Sequence, residues 1–129
     1  MNEIKVPISP GELVDKLTIL EIKAANISDP AKLANVNVEL KLLRDTWGAS
    51  AYASQDIQAE WKQLRDINKK LWDIEDDIRD QERERKFDQR FIELARAVYV
   101  TNDERAAVKK VINTKLGSTI VEEKSYAKY

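Results

Sequence analysis

The chain has 129 residues, of which 35% are charged and 43% hydrophobic, and its formal net charge is -1. This length suits one modest hydrophobic core, so we predict a single helical domain over residues 1–129. The balanced charge lacks the basic excess of nucleic-acid binders, and nucleic acid is therefore not among the expected partners. The absence of Cys and His excludes thiolate and imidazole metal sites, Cys or His catalysis, a Ser-His-Asp triad and disulfides.

The sequence also lacks membrane and export signals. No apolar run approaches the roughly 20 residues that span a bilayer. The first residues, Met1–Lys5, do not resemble a signal peptide. We therefore expect a cytoplasmic protein with no membrane partner.

The first two predicted helices each begin with a capping residue followed by proline. Ser9 and Pro10 open the first, where Glu12 completes a capping box. Asp29 and Pro30 open the second, which Gly48 ends. Both carry apolar residues every three or four positions, as expected for helices with one buried face. These are Leu13, Leu17, Leu20 and Ala24, then Leu33, Val36, Leu40, Leu43 and Trp47.

Three more helices follow in the predicted order. The third, about 55–85, is the longest, and the fourth covers about 88–99. Thr101 or Asn102 caps a fifth helix that ends before Gly117. The predicted fold is mainly α, a five-helix bundle with a long central helix.

Two terminal arms have the pattern of short strands. Residues 3–8 alternate polar and apolar side chains, and Pro7 restricts them to an edge strand or an extended arm. Residues 118–126 offer a second extended stretch. We expect these arms to pair as a short two-stranded element.

The length of the third helix predicts an oligomer. A helix of about 30 residues is roughly 45 Å long. A domain of this size has a radius of gyration near ~14 Å, so such a helix overhangs its own domain. We therefore predict a homodimer through the long helix 55–85.

Basic and amide residues recur near the apolar faces of three predicted helices. Arginine offers a planar fork for phosphate or carboxylate, lysine a point charge, and a helix start free N–H groups. If the first and fifth helices converge, these side chains line a cleft for a small anionic ligand. The predicted ligand-binding residues are Lys16, Lys23, Arg96, Asn102, Arg105, Lys109 and Asn113.

Ordinary structural roles explain the same residues equally well. Lysine stems cover apolar surface while their ammonium groups stay in water, and Glu12 is accounted for as a capping residue. The charges of the fourth and fifth helices could also form intrahelical and interhelical ion pairs.

A second chemistry is suggested by the acidic residues of the third helix. Carboxylates alone can hold Mg²⁺, and helical bundles carry such sites. The interleaved arginines Arg79, Arg83 and Arg85 argue against it because they neutralise the carboxylates. We predict neither a metal site nor a cofactor. The residues of this alternative are Glu12, Asp15, Asp73, Asp76 and Asp80.

Ser9–Lys23, with the sequence SPGELVDKLTILEIK, resembles the signature of a small family of uncharacterised bacterial and phage proteins. Residues 71–75, 91–96, 116–118 and 122–126 are similar to that family as well. The resemblance implies proteins encoded beside bacterial surface-polysaccharide genes or carried by phages of aquatic bacteria. It implies no activity and no catalytic residue.

The expected function is non-enzymatic binding of a small anionic ligand, a nucleotide or sugar nucleotide. In a phage, such a protein could sequester a host signalling nucleotide. Two alternatives stay open. One is a Mg²⁺-dependent all-α nucleotide phosphohydrolase, and the other a scaffold or partner-binding module linked to polysaccharide biosynthesis.

Overall fold

A computed structural model describes residues 2–129. The described chain contains four helices: α1 Pro10–Asn26, α2 Pro30–Gly48, α3 Gln58–Arg83 and α4 Gln89–Leu116. The first two begin at the predicted prolines, behind the capping residues Ser9 and Asp29. Each cap accepts backbone N–H hydrogen bonds that the first helical turn cannot satisfy itself.

The helix at the centre of the bundle is α1, the shortest of the four. The predicted long central helix, about 55–85, corresponds to α3, so the prediction of its central position is wrong. α1 contacts all three other helices, whereas α2 packs mainly along α1. Antiparallel α3 and α4 cover the opposite side of α1. Their direction is fixed by a Lys115–Glu60 contact of 2.9 Å at one end and an Arg90–Asp77 contact of 3.7 Å nearer the other.

The hydrophobic core contains two neighbouring clusters that share contacts with Trp47 and Trp61. One joins α1 to α2 and the other joins α1 to α3 and α4. At the end of α2, Trp47 packs edge-on against Trp61 with ring centroids 5.5 Å apart. The clusters contain Leu13, Leu17, Leu20 and Leu40, and Val14, Ile57, Leu64 and Ile112, respectively.

The prediction of five helices is wrong because α4 runs without a break through the expected boundary at Thr101 or Asn102. Thr101 is only 1% exposed, so its face of the helix is packed. Its neighbours along α4 keep a spacing of four and three, which places one continuous stripe inward. The stripe comprises Leu94, Val98, Thr101, Arg105, Val108 and Ile112.

The predicted pairing of the two arms is also wrong, since residues 2–129 contain no strand. The apolar residues Ile4, Val6 and Ile8 of the N-terminal arm are 91%, 65% and 36% exposed. The C-terminal segment, residues 118–129, instead contacts α4 through Glu122 and Tyr129. The alternating sequence pattern is present in residues 3–8, but the C-terminal arm packs against α4 instead of pairing with them.

The continuous α4 also changes the argument for a dimer. α3 has 26 residues and α4 has 28, about 39 and 42 Å, so each accompanies the other along its length. The far end of α3 therefore has a partner within the chain. The homodimer stays a prediction. In the part of the chain that is described, no helix is long and apolar enough to cross a bilayer.

Candidate functional site

α1 crosses α4 at Gly11, which is buried at the first turn. A Cβ on Gly11 would lie 2.6 Å from the backbone oxygen of Lys109, so only glycine permits this approach. The Gly11 N–H donates to Oδ1 of Asn113 at 2.7 Å. Asn113, a predicted ligand-binding residue, thus satisfies a free N–H group of the α1 start.

Next to this crossing, Lys109 is buried among three carboxylates. Its side chain is 9% exposed, and Nζ lies 2.6 Å from Glu12, 3.3 Å from Glu122 and 3.8 Å from Asp15. We call these four residues the lysine network. The network joins α1, α4 and the C-terminal segment.

Burial and pairing act in opposite directions on these groups. Burial disfavours the charged forms of both Glu12 and Lys109. The hydrogen bond and opposite charge that each gives the other outweigh it, so the pKa of Glu12 is lowered and that of Lys109 is raised. Both are therefore charged at neutral pH, and the lysine is fully engaged within the protein.

Asp15 has a second partner that the sequence analysis missed. Asn68, 5% exposed on α3, donates through Nδ2 to Oδ1 of Asp15 and to Oγ1 of Thr18, both at 2.9 Å. The sequence did contain a signal for this contact, because the amide residue Asn68 lies between Leu64 and Leu71 in an apolar stripe. This contact holds the buried carboxylate from the α3 side.

A cavity with a cationic lining and a volume of about 850 Å³ lies beside this network. One wall is α4 and the other is the C-terminal segment. The volume is within the range of small-molecule sites. The cavity, which we call the larger cavity, is lined by Tyr99, Asn102, Asp103, Arg105, Lys124, Tyr126, Ala127, Lys128 and Tyr129.

Arg105 is the least satisfied cation of this cavity. Every other arginine is exposed, whereas Arg105 is half-buried. Among residues 2–129, no carboxylate lies within 4.0 Å of its guanidinium, and its buried Nε has no hydrogen-bond partner. Oγ1 of Thr101, one turn earlier on the same face, is buried and without a partner too. Since no carboxylate of the described chain engages the Arg105 guanidinium, its terminal N–H groups have capacity for an acceptor from a ligand.

The seven predicted ligand-binding residues fall into three groups. Asn102 and Arg105 line the larger cavity. Lys109 and Asn113 line a smaller cavity of about 320 Å³, where both already have protein partners. The other three lie outside both cavities: Lys16 is exposed and 3.8 Å from Glu12, Lys23 is half-buried near the end of α1, and Arg96 is exposed with Nε 3.4 Å from the Tyr99 hydroxyl.

The start of α1 meets α4 at Lys109 and Asn113, well inside the stretch predicted as a fifth helix, through an ion pair and a hydrogen bond rather than an open cleft. The sequence did not predict the residues that the C-terminal segment adds to the larger cavity, which are Lys124, Tyr126, Ala127, Lys128 and Tyr129. The predicted strand covers residues 118–126 and so includes Lys124 and Tyr126 but not Lys128, and no local signal indicates that the segment folds back on α4.

The carboxylates of the alternative enzyme reading are dispersed. Asp73, Asp76 and Asp80 are exposed on α3, where Asp73 pairs with Lys69 at 2.7 Å and Asp80 with Arg83 at 2.7 Å. Across residues 2–129, no group of three or more acidic side chains is arranged to hold a metal ion.

Fold and site together define an all-helical protein with a cation-lined cavity between its last helix and its C-terminal segment. The chain belongs to the Family of unknown function (DUF6165), which matches residues 4–129. The resemblance to an uncharacterised family is thereby confirmed, whereas the bacterial or phage setting stays a prediction. No curated protein and no solved structure matches the chain.

Proposed function

We propose that this protein binds a small phosphorylated ligand, a nucleotide or sugar nucleotide, in the larger cavity without transforming it. The observation that carries the proposal is Arg105, a half-buried arginine that faces this cavity without a carboxylate partner. Arginine binds phosphate through two parallel N–H donors, and such charge-assisted hydrogen bonds are about twice as strong as neutral ones.

The other lining residues match the remaining parts of such a ligand. Tyr99, Tyr126 and Tyr129 offer aromatic surfaces, and stacking on an aromatic ring is worth about 1–3 kcal/mol per base. Asn102 offers one acceptor and two donors for a base edge or a sugar. The cavity thus combines cations with ring surfaces, which a bare inorganic anion does not use.

Calorimetric titration with adenosine 5′-monophosphate (AMP) and uridine diphosphate glucose tests the proposal. We expect binding by the unmodified protein and at least about tenfold weaker binding by Arg105→Gln, because hydrogen bonds to charged groups contribute about 1.5–3 kcal/mol. Arg44→Gln is the matched control, since Arg44 is exposed on α2 and forms no ion pair with residues 2–129.

The two arginine variants make the result interpretable. Both remove one positive charge, so a general electrostatic effect lowers affinity equally in each. Circular dichroism melts establish that both are folded at the titration temperature. Absence of binding by the unmodified protein, or equal losses in the two variants, would count against the proposal.

A further inference from the structure

The C-terminal segment is attached to α4 at two points, one on each side of the larger cavity. Glu122 contacts Nζ of Lys109 at 3.3 Å. Further along, the Tyr129 hydroxyl donates to Asp103 at 2.5 Å, and its ring packs edge-on against Tyr99 with centroids 5.3 Å apart. Between these points the segment forms no helix or strand.

The C-terminal segment lines the cavity with consecutive as well as alternate residues. Glu122 faces α4 because it contacts Lys109. Beyond it, the lining residues of the segment are Lys124, Tyr126, Ala127, Lys128 and Tyr129.

The two walls differ in charge. On the α4 wall, the side-chain charges of Arg105 and Asp103 sum to zero, whereas the side chains of Lys124 and Lys128 add two positive charges on the C-terminal segment wall. α4 alone therefore presents no net attraction for an anion. The segment supplies the excess positive charge.

We infer that residues 124–129 are a closing strap that makes the larger cavity selective for a dianionic phosphate monoester carrying a planar base, such as a nucleoside monophosphate. This inference rests on the proposed function and assigns the specificity to the C-terminal segment. The phosphate lies between Arg105 and the two lysines, and the base lies against the tyrosine rings. Ligand binding holds the segment against α4.

Two variants test the strap. The double variant Lys124→Gln/Lys128→Gln removes only its charge, and a chain ending at Glu123 removes the strap while keeping the Glu122–Lys109 contact. The control is Lys32→Gln/Lys70→Gln, two exposed lysines that form no ion pair with residues 2–129. We expect AMP binding at least about tenfold weaker in both strap variants and unchanged in the control.

The ligand comparison uses the same proteins. Cyclic AMP has the same base but one negative charge, so we expect it to bind the unmodified protein more weakly than AMP and to lose less in the double variant. A phosphate monoester has its second pKa near 6, and AMP binding should therefore strengthen as pH rises from about 5 to 7.5. Hydrogen exchange should slow in residues 119–129 when AMP is present.

The outcomes separate this inference from the proposed function. If Arg105→Gln loses AMP while both strap variants bind normally, the proposed function stands and the strap is overturned. Equal affinity for AMP and cyclic AMP also overturns the dianion selectivity. If the unmodified protein binds no AMP, both conclusions fall.

Discussion

Replacing Lys109 by methionine tests the lysine network directly. Methionine fills much of the same space but removes the charge that Glu12, Asp15 and Glu122 share. Asp15, at 6% side-chain exposure, then lies buried with Asn68 as its remaining side-chain donor. Removing one partner of a buried ion pair leaves an uncompensated charge, which costs about 3–5 kcal/mol.

The lower end of that range applies here. Glu12 and Glu122 are 26% and 47% exposed, so water replaces part of what Lys109 provided. Asp15 is too deeply buried for water to replace the lysine in this way. We therefore expect the free energy of unfolding to fall by about 3 kcal/mol. For a chain of this size that corresponds to a melting temperature lower by about 10 °C.

The pH dependence provides a second readout. Glu12 has a lowered pKa, so its contribution to stability is present above its unfolded-state pKa and is lost as pH falls through the lower, folded-state value. Lys109 has a raised pKa, so its contribution is complete below its unfolded-state pKa and is lost as pH rises through the folded-state value. The stability difference between the unmodified protein and Lys109→Met should be largest between about pH 5 and 10.

Urea unfolding followed by circular dichroism measures the effect. Lys110→Met is the control, because Lys110 is the exposed neighbour on the same helix and should change stability by less than about 0.5 kcal/mol. Equal stabilities of the two methionine variants across this pH range would refute the reasoning.

Three further predictions concern packing and assembly. Gly11→Ala should cost about 1–3 kcal/mol because its Cβ would meet the Lys109 backbone oxygen at 2.6 Å, whereas Gly48→Ala, with nothing within 4 Å, should be neutral or stabilising by up to about 1 kcal/mol. Urea unfolding that ranks the two glycine variants equally would contradict the close crossing. Asn68→Leu should cost about 1–3 kcal/mol in the same assay, because Asp15 loses a buried hydrogen-bond donor; unchanged stability would argue against this contact. Light scattering after gel filtration should give twice the chain mass if the dimer predicted through α3 forms, and a monomer mass at every concentration would exclude it.

The helix starts could be predicted because their signals are local. Ser9-Pro10 and Asp29-Pro30 each place a capping oxygen and a fixed backbone angle within two residues. The inner faces of α1 and α2 followed from the helical period alone. Neither feature depends on a distant part of the chain.

The continuity of α4 could not be predicted in the same way. Thr101 and Asn102 are favoured as helix caps, and Thr101 and Arg105 interrupt the apolar stripe with polar side chains. Packing against α3 outweighs the local capping preference, so the helix continues through them. Thr101 and Arg105, the polar residues that interrupt the stripe, also carry the buried polar atoms without partners behind the larger cavity.

The candidate site was predicted in part because its α4 wall lies on one helix, where Asn102 and Arg105 are three residues apart. Its other wall depends on long-range contacts. Glu122 has to reach Lys109, and Tyr129 has to reach Asp103, 26 positions away in sequence. Sequence spacing contains no information about such folding back, and the assignment of Lys109 to a ligand failed to anticipate its three carboxylate partners.

Arginine side-chain NMR during AMP titration tests most directly whether Arg105 receives a phosphate. Nε–Hε resonances report on each guanidinium separately. The account predicts that the Arg105 resonance shifts most and saturates with the calorimetric affinity, while that of exposed Arg44 stays in place. An Arg105 resonance that shifts no more than that of Arg44 would contradict the account.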